Sequence, residues 1–300
     1  MLFAMHRTVE RPAAPGDAGP AAAPDPGPGA IRLQPTRGFS RVLSPRELWR
    51  YREVGLQVAT RDITVRYRQT LLGAAWAVLQ PVATMVVFTL IFGHLAHLSS
   101  EKHAYALFSL AALVPWTFFA TAVQLGSDSL VSNSPLVSKI YFPRIFIPAG
   151  VLVAGLVDVT ISSVVLLVIV AASGTTITFH VVLLPVLVLI AFATALGVSS
   201  ALSAINVRYR DVRYVVPFAV QMWLFITPVV YSITLLDEPL RTLAAINPMV
   251  GVVEGYRWAV LGTATSPWVL IAISAGGAVF LLLAGLAYFD RVERSLADLL

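Results

Sequence analysis

The 300 residues contain no cysteine, which excludes disulfides, thiol nucleophiles and thiolate metal sites and leaves the redox compartment unread. Charge is scarce as well. Asp, Glu, Lys and Arg make up 12% of the chain, about half of the quarter usual in soluble domains. Lys102 and Lys139 are the only lysines, and neither follows a glycine-rich run. The phosphate loop G-x-x-x-x-G-K-[ST] is therefore missing, as are H-E-x-x-H, G-x-S-x-G and any pair of facing carboxylates. The histidines (His6, His94, His97, His103 and His180) form no ligand cluster with an acid. His94 and His97 share a helix face at i,i+3 and read as a polar cap beside a span, so no metal site is assigned. No residue is left for a catalytic role.

What the chain does have is apolar length. It is 57% hydrophobic with a mean hydropathy of +0.79, which points to an all-α integral membrane protein. A bilayer core about 30 Å thick needs roughly 20 apolar helical residues. Six runs meet or approach that: 72–95, 105–125, 149–172, 181–205, 217–234 and 268–289. The net charge of +5 does not indicate nucleic acid, because it is confined to the segments between these runs and no groove-reading or base-stacking module accompanies it. Of the 21 Lys and Arg, 18 fall in the N-terminal segment, the loops 126–148 and 206–216, and the C-terminal tail. Lys102, Arg241 and Arg257 fall on the other side. Since positive segments stay cytoplasmic, an even number of spans with both termini cytoplasmic is expected.

Three parts follow in order: a Pro/Ala/Gly-rich tail (1–36), an amphipathic segment at the cytoplasmic interface (37–70) and a six-span transmembrane domain (71–300). The tail has too little large apolar surface to offset its ordering entropy and is expected to be disordered. It lacks the continuous apolar run of a signal peptide. Ser44-Pro45-Arg46-Glu47 is a capping box with proline at N1, predicting a helix to about Ala59. Trp49 and the arginines suit a membrane interface. Arg61, Arg66 and Arg68 stand just before the first span, and the VRYR of 65–68 returns at Val207-Arg208-Tyr209-Arg210, with Arg213 close by. Both copies are read either as interfacial anchors or as contacts to a partner or lipid head group.

Two connections are more than linkers. Between the second and third spans, Ser134 is a candidate N-cap, Pro135 the first helical residue and Pro143 the stop of a helix of about two turns. Its apolar side chains need covering by lipid or by another protein. On the far side, Asn247 and Pro248 predict the start of a helix of about 14 residues through Glu254, Tyr256, Arg257 and Trp258. At that length it is too short to span and apolar enough to lie in or on the membrane. Glu254 and Arg257 at i,i+3 are expected to pair, with structure or an outer gate as the two readings.

Within the spans, Trp76, Gln80, Thr84 and Phe88 follow at i,i+4 steps on the first, and Phe218, Trp223, Phe225 and Tyr231 stud the fifth. Aromatic faces can stack on sugar rings while amides bond hydroxyls, so this set is a candidate channel lining; ordinary packing or an interfacial belt is the alternative. Pro81, Pro115, Pro185 and Pro228 are expected to kink spans and free carbonyls. Asp158 is the one acid well inside a span, a candidate for ion coupling or for a hydrogen-bonded structural acid.

The runs RDITVRYRQTLLGAAWAVLQPVATMVVFTLIFG, LVSKIYFPRIFIP, NVRYRDVRYVVPFAVQMWLFITPVVYS and NPMVGVVEGYRWAVLG resemble, in order and spacing, the membrane subunit of bacterial ABC exporters of polysaccharides and polyol-phosphate polymers. These serve O-antigen, capsule, galactan and teichoic-acid export. The resemblance covers the chain from about Arg37 onward. It implies a homodimer of six-span subunits in the bacterial plasma membrane, paired with two copies of a separate subunit that binds ATP and Mg. It also implies that Ser134, Pro135, Leu136, Lys139, Tyr141, Phe142, Pro143 and Arg144 couple to that subunit, and that the segment 237–261 caps the outer exit. The expected cargo is a lipid-linked glycan or polyol-phosphate polymer. The rival readings are an ion-coupled secondary transporter centred on Asp158 and a membrane-embedded enzyme, which would need clustered acids or histidines.

Overall fold

Residues 49–68, 75–95, 104–139, 142–263 and 266–296 are described by a computed structural model, and every regular element among them is helical. Helix α1 (Arg52–Arg68) precedes α2 (Ala75–Phe88), which runs on into the π-helical stretch Thr89–Leu95. Helix α3 (Tyr105–Ser132), the short α4 (Ser134–Lys139) and α5 (Phe146–Ala172) follow. A 3-10 turn (Phe179–Leu183) leads into α6 (Leu184–Arg208), and then come α7 (Val212–Ile226), α8 (Glu238–Ala245), α9 (Pro248–Leu261) and α10 (Trp268–Leu296). The tail 1–36, the capping box 44–47, His97, Lys102 and Tyr141 lie outside the described residues.

Among the described residues, five stretches are long and apolar enough to cross a bilayer: Ala75–His94, Tyr105–Ser132, Phe146–Ala172, Phe179–Arg208 and Trp268–Glu293. The stretch read from sequence as a fifth span, 217–234, is different. Helix α7 begins earlier and stops after 15 residues, about 22 Å at 1.5 Å per residue and short of a bilayer core. Its continuation through Thr227–Ser232 is not helical. Apolarity makes the run look continuous, but Pro228 has no N–H with which to extend the helix.

Helix α3 is the hub. Of its apolar window 78% is buried inside the chain, against 6% for α2, so α3 is central and α2 lies at the rim. Around α3 pack α2, α5, α6, α7 and α9. Of these, α9 is the most fully enclosed: every residue from Pro248 to Leu261 except Glu254 is buried. Helix α9 is thus covered by protein, whereas α8 leaves Leu240 and Leu243 exposed, with Ile246 just beyond its end. The tightest crossing is α6 on α10, where a Cβ placed on Gly285 would stand 2.0 Å from the Gly197 carbonyl oxygen. Only glycine lets two helix backbones approach so closely, the usual device where lipid removes the hydrophobic drive between helices.

Two local expectations shift. Helix α1 runs to Arg68 instead of ending near Ala59, because no breaker follows Ala59 and the polar residues beyond it find partners on other helices. Pro185 stands in the first turn of α6, where its missing N–H costs nothing, so it starts a helix and does not kink one. Pro81, Pro115 and Pro217 are interior to α2, α3 and α7.

Candidate functional site

At the end of the bundle that carries α4, polar side chains fasten separate helices together. Arg61 on α1 pairs with Asp62 at 2.8 Å and donates to Asn133 Oδ1 at 2.7 Å. Asn133 joins α3 to α4, and its Nδ2 donates back to the Ser129 carbonyl at 2.8 Å. Helix α4 opens at Ser134, with Asn133 in the position before it, one residue earlier than the sequence pattern predicts. Asp128 gathers Ser132 at 2.5 Å, Asn206 of α6 at 3.3 Å and Arg213 of α7 at 3.0 Å.

Beyond α4, the Arg144 N–H donates to Glu293 Oε1 of α10 at 3.2 Å. Phe142 is buried in one cluster with Leu130, Ile147, Ala204 and Phe289, and Leu136 packs on that cluster from α4. Pro135 is exposed, Ser134 and Pro143 are half-buried, and the Lys139 side chain lies outside the described residues. The candidate coupling segment is thus a short helix held at both ends, with Phe142 as an inward anchor.

Beside this hub, α1 runs parallel to the first half of α5. Gly55 faces Phe146, Gly150 faces Val58 and Asp62, and Gly155 faces Arg66. Asp158, about 18 Å along α5 from Phe146, is thereby brought against the last turn of α1. Its carboxylate accepts hydrogen bonds from Arg66 Nη1 and from the Tyr67 hydroxyl. Burial, reinforced by the bond to Asp158, raises the Tyr67 hydroxyl pKa above its ordinary value, so the phenol stays protonated and keeps donating. Arg66 and Asp158 retain 21% and 26% side-chain accessibility because they border a cavity of about 280 Å³ among α1, α2, α3 and α5. Trp76, Gln80, Thr117 and Thr121 complete much of its wall.

The eight candidate lining residues therefore divide. Trp76 and Gln80 face this cavity. Thr84 returns its hydroxyl to the Gln80 carbonyl at 2.9 Å. Phe88 stacks edge-on to Phe92 at 5.7 Å, and Trp223 edge-on to Phe119 of α3 at 5.0 Å, both against the core. Phe218 and Phe225 are exposed along α7, and Tyr231 donates to the Phe225 carbonyl at 3.1 Å. Of the candidate interfacial residues, Trp49 is exposed beneath the Arg52 guanidinium at 4.4 Å. The two VRYR copies occupy unlike settings. Arg66 of the first is tied to α5 and Arg68 is exposed, whereas Arg208 and Arg210 of the second are exposed at the turn between α6 and α7.

The candidate outer residues form a sealed knot. Asn247 caps α9 by accepting from the Met249 N–H at 3.1 Å, and its Nδ2 donates to Thr227 Oγ1 at 2.8 Å. Arg257 pairs with Glu254 at 2.8 Å as the i,i+3 spacing requires, and its side chain is fully buried. It donates to the carbonyls of Pro228 (2.7 Å), Val229 (2.7 Å) and Tyr231 (3.3 Å), while Tyr105 donates to that of Val230 at 2.6 Å. Four successive carbonyls beyond α7 thus have donors. Irregular backbone is tolerated at membrane depth only where protein satisfies it in this way or where it lines water. The guanidinium also donates to the Phe108 carbonyl at 3.3 Å and lies 3.6 Å above the Phe108 ring. Tyr256 is buried against Ser163 at 3.2 Å, and Trp258 stacks on His180 at 3.9 Å.

Sequence reasoning missed Tyr67, Asp128, Asn133 and Asn206. Each is an ordinary polar residue whose partner lies on another element, so no local pattern marks it.

The family model for ABC-2 type transporters matches residues 56–261. An O-antigen export system permease protein RfbA of Myxococcus xanthus is 35% identical over 71% of this chain and 82% of its own length. A protein of the same name from Klebsiella pneumoniae is 24% identical over 81% of this chain and 93% of its own. A polysialic acid transport protein KpsM of Escherichia coli is 23% identical over 79% and 92%.

Proposed function

The chain belongs to the ABC-2 type transporter family, and from that premise we propose that it is the membrane subunit of an ATP-driven exporter of a lipid-linked polysaccharide. It works as a homodimer in the bacterial inner membrane, both termini cytoplasmic, beside two copies of a subunit that binds ATP and Mg. A glycan cargo is preferred to a polyol-phosphate polymer because the relatives are named for O-antigen export and polysialic acid transport.

The observation that carries the coupling half of this reading is the fastening of α4. A load applied to a loose loop would be absorbed by it. Here Asn133, Leu136, Phe142 and Arg144 join the segment to α1, to the buried cluster and to α10. Closure of the ATP-binding subunits against α4 then moves α1, and with it α5 and the neighbouring α2, opening a route between α2 and α7 of the two protomers. Phe142→Ala removes the inward anchor. The expected outcome is continued ATP hydrolysis with export reduced about tenfold or more, the dimer intact and Phe142→Leu close to wild type. Inside-out vesicles carrying both subunits and a lipid-linked glycan measure this; undiminished export in Phe142→Ala counts against coupling through this segment.

The secondary-transporter reading needs Asp158 to exchange ions. A carboxylate already held by an arginine and a phenol is poorly suited to that, since each release would strand Arg66. Transport in the absence of the ATP-binding subunit that dies in Asp158→Asn would restore it.

A further inference from the structure

We propose that the cavity among α1, α2, α3 and α5 is a glycosyl subsite: it takes one neutral sugar ring of the lipid-linked cargo, stacked on Trp76 and hydrogen-bonded by Gln80, Arg66 and Asp158. The proposal rests on the exporter reading and assigns cargo recognition to a specific place in it.

Size is the first reason. At about 280 Å³ the cavity lies just below the usual range of ligand sites, about 300–1,000 Å³, so it suits a single ring and not a length of polymer. The second reason is the chemistry of the wall. Trp76 is 55% exposed although it is the largest apolar side chain lining the cavity. The negative face of an indole attracts the partly positive C–H bonds on one face of a sugar ring, the same quadrupole that orders aromatic pairs. Around it stand an amide, a guanidinium and a carboxylate, with the hydroxyls of Thr117 and Thr121. Planar two-pronged groups match pairs of neighbouring ring hydroxyls.

Charge decides between sugar and phosphate. Arg66 and Asp158 neutralise each other, so the cavity offers an anion no net attraction, and a phosphate taking Arg66 would have to approach Asp158. A neutral polyol needs neither. It uses the donors and lone pairs that the pair leaves over: a guanidinium has about five N–H donors and a carboxylate about four acceptor positions. Tyr67, kept protonated and itself part of the cavity wall, holds Asp158 in place. The location also fits, because the wall includes the last turn of α1, which the hub at Asn133 ties to α4. A bound ring would therefore sit against the element through which the ATP-driven movement enters.

The test uses the full chain with its ATP-binding subunit in nanodiscs. The probes are a polyprenyl diphosphate and the same lipid bearing one N-acetylglucosamine. Wild type is expected to bind the glycosylated probe about tenfold more tightly than the bare one, the worth of one good stacking contact. Trp76→Ala should abolish that preference, Trp76→Phe should keep most of it, and Gln80→Leu should lose part of it, all with unchanged affinity for the bare lipid. An unchanged preference in Trp76→Ala overturns the subsite. Equal binding of both probes by wild type, lost in Arg66→Gln, also overturns it and makes the cavity a phosphate site. ATP-dependent translocation of the glycosylated probe by the wild-type complex is measured separately. Its absence sinks the exporter reading, whereas intact translocation with no Trp76-dependent preference sinks only the subsite.

Discussion

Two of the arginine–carboxylate pairs among the described residues, Arg257–Glu254 and Arg66–Asp158, are used differently. Arg257–Glu254 is sealed, with side-chain accessibilities of 0% and 12%, and its guanidinium is occupied by the backbone carbonyls of Pro228, Val229, Tyr231 and Phe108. Arg66–Asp158 keeps 21% and 26% and looks onto a cavity. The first pair closes a gap in the fold, where α7 ends early and leaves buried carbonyls that need donors from within the protein. The second joins two helices while leaving hydrogen-bonding capacity turned toward open space. A charge pair is therefore read by what else its groups are committed to.

The sharpest way to break this contrast is Arg257→Met. It strands Glu254 and uncovers the carbonyls beyond α7; removing one partner of a buried pair costs about 3–5 kcal/mol. Thermal unfolding in detergent should show a large loss, and Arg257→Lys should rescue little, since an ammonium cannot span several acceptors as a planar guanidinium does. Near-wild-type stability for Arg257→Met would remove the sealed half of the comparison.

An uncharged scale for that loss comes from Gly285→Val, which forces α6 and α10 apart at Gly197. Overpacking of this kind costs about 1–3 kcal/mol or somewhat more, again read by unfolding. If it proves harmless, the close crossing is not needed for stability.

Asp158→Asn sharpens the other half. The amide still accepts from Tyr67 but loses the charge, at about 1–2 kcal/mol of stability, while glycan export falls. A double-mutant cycle should show weaker coupling between positions 66 and 158 than between 254 and 257; the reverse order would refute the contrast.

The smallest effect belongs to Arg213→Gln. Its pair with Asp128 is half-exposed and worth about 0.2–1 kcal/mol. Any defect should appear in the ratio of export to ATP hydrolysis and hardly in unfolding. A stability loss as large as that of Arg257→Met would show that exposure does not rank these pairs.

Much of the fold is legible in single stretches. Asn247-Pro248 announces the start of α9, and Glu254 and Arg257 pair as their spacing demands. The helical membrane character follows from apolar runs alone. The extension of α1 from Ala59 to Arg68 was not legible, because the partners of its polar turns, Asn133 for Arg61 and Asp158 for Arg66, lie on or beside other helices. The candidate lining was only half legible for a related reason. The i,i+4 spacing puts Trp76, Gln80, Thr84 and Phe88 on one side of a helix, but it does not say what stands opposite. The cavity takes the first two, and Phe88 turns to the core.

By itself, the order of residues determined that this chain is a helical membrane protein without a nucleotide-binding loop. It also determined where several helices begin, since apolar length, capping and proline act within a few residues of one another. Only the tertiary structure decided which charges meet. Arg66 and Asp158 are 92 residues apart, and Arg257 reaches carbonyls 26 to 29 residues before it. Such meetings depend on the register in which whole helices pack, and that register is set by small residues and side-chain shapes spread over the entire bundle.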